Sequence, residues 1–170
     1  MTHSQNTAAV SGRHLTGGAA RPGSLWIDRG LLLLRVALGL VFIAHGAQKL
    51  VTMGIPNVAG FLGQLGVPFP GLNAVLLVAV ELGGGLLLAA GALTRAASLL
   101  TAAAMAVATL VVHAPNGFFL PNGVEFTLTL MLASLALTMT GAGRYSVDAA
   151  LVSHTASLPA PVQRVLKTAA

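Results

Sequence analysis

Six ionisable side chains stand where the surrounding sequence is apolar or at its edge: Arg35, His45, Lys49, Glu81, His113 and Glu125. In hydrocarbon a charge at the centre of a helix costs about 2.5–3.5 kcal/mol on insertion scales, so each one needs a partner or a purpose. Stepped at about 100° per residue, Arg35, Gly39, Phe42, His45, Gly46 and Lys49 fall on one stripe, which turns that stripe toward other helices rather than lipid. Glu81 lies deep in a second apolar run, out of reach of either surface, and is therefore paired or protonated. Its expected depth is nearer His45 than Arg35, although the length of arginine keeps both open as partners. Burial raises a carboxyl pKa and a cationic neighbour lowers it, so a carboxylate in this setting can handle protons. The competing role is an ion pair that only fixes helix packing.

The chemistry expected of these residues is proton transfer by Glu81 and His45, with Arg35 and Lys49 stabilising negative charge as it develops. Gly84, within Gly83-Gly84-Gly85, would let a flat ligand or another backbone approach closely. His113 and Glu125 are expected to meet at the mouth of the same site, near His45, and contribute to ligand binding. Each has a plainer alternative: Arg35 can snorkel to the headgroups, His45 can be a neutral imidazole bonded to a neighbouring helix, and Lys49 can anchor the interface. The spacing of the histidines and carboxylates matches no metal motif, so no metal is expected.

The elements that carry these side chains follow from composition. Of 170 residues 55% are hydrophobic and 8% charged, with mean hydropathy +0.85. A soluble domain has about 25% charged residues, so this is a membrane protein, all-α, with no room for a separate soluble catalytic domain. There is no cysteine, which excludes thiol–disulfide chemistry by the chain itself. A span needs about 20 apolar residues, and four runs qualify, at about 31–51, 72–93, 96–113 and 124–142. Between the first two, Val58, Phe61, Leu62 and Leu65 recur at i, i+3, i+4 and i+7, which predicts a short amphipathic helix along the interface. The expectation is a four-helix membrane bundle over residues 30–150. Residues 1–29 read as a disordered tail and 151–170 as a second tail.

Arg13, Arg21, Arg29, Arg95, Arg144, Arg164 and Lys167 all fall on one side of this topology. Basic residues in short loops stay cytoplasmic, so both termini are expected there, in a bacterial-type plasma membrane. The run after the basic start is too long, and too interrupted by His45 and Lys49, for a cleaved signal peptide. The net charge of +5 is thereby explained without nucleic acid.

Several motifs along the chain resemble the DoxX family: the run Arg35–Leu50 with its Arg, Gly, Phe, His-Gly and Lys; Glu81-Leu82-Gly83-Gly84; Gly91-Ala92-Leu93-Thr94-Arg95; His113-Ala114-Pro115-Asn116-Gly117-Phe118-Phe119; Gly123-Val124-Glu125; and Gly141 to Asp148. Members of that family are associated with a membrane thiosulfate:quinone oxidoreductase and with membrane complexes of thiol and oxidative-stress defence. The resemblance implies a redox subunit handling quinone or another small hydrophobic redox molecule, an oxidoreductase subunit if it is catalytic. Its partners would be the lipid bilayer and redox proteins, whereas a carrier of only four helices would require copies of itself. The residues equally allow a proton-coupled carrier of a lipophilic metabolite, or a scaffold without chemistry.

Overall fold

The computed structural model describes residues 22–156; the tail expected before residue 22 and the segment after 156 lie outside the described residues. Helix α1 runs Pro22–Ala47 and continues as a π-helical segment over Gln48–Met53. Then come α2, Ile55–Gln64, and α3, Pro70–Ala90. Helix α4, Thr94–Val107, continues through a π-helical segment, Ala108–His113, and a 3-10 turn, Ala114–Asn116. Helices α5, Glu125–Thr140, and α6, Val147–Ala156, complete the described chain. Three stretches are long and apolar enough to cross a membrane, Leu25–Met53, Pro70–Ala90 and Thr94–Asn116, whereas α5 is apolar but only 16 residues long. The first helix begins before the expected Leu31, so residues 22–29 are helical rather than tail.

Small residues set how α1 and α3 meet. A Cβ on Gly39 would come within 2.7 Å of the Gly85 carbonyl oxygen, and one on Gly46 within 2.6 Å of the Leu82 backbone nitrogen. The contacts descend α3 as they ascend α1, so the helices are antiparallel, with their backbones as close as glycine permits. Helices α4 and α5 are antiparallel too, joined by paired hydroxyls: Ser98 with Thr138 at 2.9 Å, Thr101 with Ser134 at 3.3 Å, and Thr109 with Thr127 at 2.9 Å. Leu38 and Phe42 of α1, Leu88 of α3, Met105 of α4 and Leu130 and Leu137 of α5 form one core.

The α3–α4 turn is made locally. Gly91 has φ +69°, its N–H donates to Leu88 O, and the Ala92 N–H donates to Leu87 O, the paired bonds of a glycine-terminated helix. Leu93 follows with φ +47°, an unfavourable angle for a side-chain-bearing residue. The Asp148 carboxylate holds it there, accepting the Leu93 N–H at 2.8 Å and the Thr94 N–H at 3.0 Å, so a residue far along the chain caps α4. Between the first two long helices the chain forms α2, a helix of ten residues. Val58 and Leu62 are buried with Ala74 of α3, while Phe61 and Leu65 remain exposed.

Candidate functional site

Glu81 is paired, and its partner is Lys49. The ammonium donates to both carboxylate oxygens, at 2.7 Å to Oε2 and 2.9 Å to Oε1. The carboxyl side chain is 4% exposed and the lysine 20%. This corrects the expectation that His45 or Arg35 would answer Glu81. Lys49 lies in the π-helical segment that extends α1 from Gln48.

The pair borders a cavity of about 330 Å³ enclosed by the end of α1, α2, α3, the end of α4, the start of α5 and the loop before it. Its walls are mainly apolar, with Phe42, Leu62, Leu77, Met105 and Leu130 among them, and its ionisable groups are Lys49, Glu81, His45 and His113. That size and that ratio of apolar wall to polar points are those of a small-ligand pocket. The His45 ring lies 6.0 Å from the Phe126 ring. His113 Nδ1 donates to the Asn122 carbonyl at 2.7 Å, which leaves Nε2 of a neutral ring with a free lone pair. Both π-helical segments among the described residues end at this cavity, one carrying Lys49 and the other His113. Such widenings recur at functional sites, and nothing in hydrophobic periodicity announces them.

Three expected members lie elsewhere. Arg35 is 2% exposed midway along α1, donating to the carbonyls of Leu88 and Ala89 and, through Nη2, to Tyr145. Fourteen residues from Lys49, it is about 21 Å away along the helix, so it neither snorkels nor faces the cavity. It fastens α1 to the end of α3 and to the segment before α6. Gly84 faces α4, where a Cβ would come within 2.9 Å of Thr101 Cγ2, so its smallness serves helix packing and not a ligand. Glu125 accepts the Leu120 N–H at 2.8 Å and shapes the loop rather than joining His113 at the mouth.

Asp148, the last residue of the Gly141 to Asp148 motif, organises the Arg35 end. Burial pushes its carboxyl up, but hydrogen bonds from Thr94 and Leu93 and the Arg35 charge outweigh burial and hold it below the ordinary carboxylate value. The hydroxyl pairs between α4 and α5 were also missed. Their signal was the run of small hydroxyl residues Ser98, Thr101, Thr109, Thr127, Ser134 and Thr138 in otherwise apolar helices.

A family profile described as DoxX matches residues 30–114. "Putative oxidoreductase CatD" of Bacillus subtilis is 36% identical over 121 residues, covering 70% of this chain and 84% of that protein. "Inner membrane protein YphA" of Escherichia coli is 30% identical over 142 residues, 80% of this chain and 96% of the relative, and "Inner membrane protein YqjF" of the same organism is 32% identical over 123 residues, 71% and 91%. No solved structure gives a significant match. With the profile spanning half of the sequence and relatives aligned over most of their length, the chain belongs to the DoxX family of membrane proteins.

Proposed function

We propose that the protein is a four-crossing inner-membrane redox subunit whose cavity takes the ring of a quinone or a similar small hydrophobic redox molecule. The observation that carries this reading is the Lys49–Glu81 pair set in an otherwise apolar pocket with two histidines. Lys49 donates a hydrogen bond to a ring oxygen and offsets its growing negative charge. Glu81 or His45 exchanges the proton that accompanies each electron, while the electrons pass to or from a redox partner protein. The name of the Bacillus subtilis relative, "Putative oxidoreductase CatD", supports the same class of chemistry.

Helix α5 is the fourth crossing. At about 1.5 Å per residue it covers about 24 Å, and its hydroxyl pairs hold it beside α4 from Ser98 to Thr109. The basic residues of the sequence support an orientation with both termini cytoplasmic and α2 along the opposite interface. Mass spectrometry of lipid extracts from protein purified out of native membranes tests the function. The expected result is a co-purifying quinone that is lost from Lys49→Met; extracts with no quinone or related redox ring would contradict it.

A further inference from the structure

A second recess, of about 280 Å³, lies between α3 and α4. Its sides are two stripes at helical spacing, Leu76, Leu77 and Val80 on α3 and Leu100, Ala103 and Val107 on α4. Leu76, Leu100 and Val107 are 51%, 56% and 56% exposed, so this recess opens on the outer surface of the bundle, where a membrane presents acyl chains. Two side chains, Leu62 of α2 and Leu77 of α3, line both this recess and the cavity of the Lys49–Glu81 pair. Leu77 stands one helical turn from Glu81. The polar site and the hydrocarbon-facing groove are therefore neighbours across a leucine partition.

We propose that the ligand is an amphiphile with a long apolar tail: its ring lies in the cavity, and its tail passes between Leu62 and Leu77 into the groove between α3 and α4. This rests on the reading that the cavity binds a redox ring, and adds the class of ligand and its route from the bilayer. The wall shared by the two spaces, only Leu62 and Leu77, favours this occupant over a second protein, since a tail is narrow enough to pass between two side chains and a helix is not. Away from this partition, Met53, Phe61, Leu120 and Phe126 line the cavity and are themselves exposed.

The test uses the full chain in lipid nanodiscs and two probes, a benzoquinone without a tail and the same ring bearing a ten-carbon tail. Ala103 is exposed, lines the groove and does not line the cavity. Ala103→Phe is expected to raise the Kd of the tailed ring about tenfold by crowding the groove, with the tailless ring unchanged. Equal effects on both probes, or none on either, would overturn the tail assignment while leaving the ring site standing. Failure of both probes to bind the unaltered protein would overturn the ring site and the tail assignment together. A photoreactive group at the tail end gives a readout that needs no variant. Labelling within 76–80 and 100–107 is expected, and labelling at Phe61, Leu120 or Phe126 instead would overturn the route.

Discussion

At the scale of single residues, Glu81 and Arg35 illustrate two uses of charge within a membrane helix. Glu81 is answered by one side-chain ammonium bordering a pocket, an arrangement that can open to a ligand. Arg35 is answered by fixed carbonyls at the junction of three segments, an arrangement that holds. Lys49→Met leaves the carboxyl without its cation and is expected to cost about 3 kcal/mol, read as a lowered unfolding temperature in detergent. The double variant Lys49→Met/Glu81→Leu is expected to recover most of that loss, because no uncompensated charge remains. Glu81→Gln keeps shape and hydrogen bonding but not the titrating group. It is expected to slow proton-coupled turnover by at least about tenfold in a folded protein, and unchanged turnover would mark the pair as packing alone.

At the scale of elements, the glycines of α1 and α3 decide which polar groups meet. With Gly39 opposite Gly85 and Gly46 opposite Leu82, the register brings Lys49 to Glu81 and Arg35 to the carbonyls ending α3. Gly46→Ala is expected to destabilise the protein by about 1–3 kcal/mol through forced separation of the backbones. Gly83→Ala, where a Cβ would meet nothing within 4 Å, is expected to be neutral or to stabilise by up to about 1 kcal/mol; thermal unfolding of the two variants side by side checks both. The long helices were legible in the sequence because hydropathy marks their apolar runs, and α2 because its apolar residues keep a helical period. The partner of Glu81 was not legible. A regular helix puts Arg35, His45 and Lys49 on one stripe and says nothing of how far α1 slides along α3, and the π-helical turn at Gln48 breaks the regularity where it matters. For Gly84 the sequence leaves a ligand and a neighbouring helix both open for a related reason: smallness is visible in a sequence, but the neighbour it admits, here Thr101, is not.

At the scale of the whole molecule, the two ends of the bundle divide the work. One end is fastened by Arg35 and Asp148, which tie α1, α3, α4 and the segment leading into α6; the other encloses the cavity under α2 and the 117–124 loop. Because the Asp148 carboxyl lies below its ordinary value in the folded chain, the stability it contributes is fully present above the unfolded value of about 3.9 and is lost as pH falls through the folded value. Asp148→Asn is expected to flatten that acid limb of the unfolding curve and to cost about 1 kcal/mol at neutral pH through the weakened cap. It is expected to leave ring binding at the other end unchanged. The most direct test of the cavity is equilibrium binding of a tailless benzoquinone to the unaltered protein, Lys49→Met and Arg35→Lys in nanodiscs. The expected result is binding weakened at least about tenfold, or 1.4 kcal/mol, by the first substitution and unaffected by the second. Equal affinity in all three would contradict a site built on the Lys49–Glu81 pair.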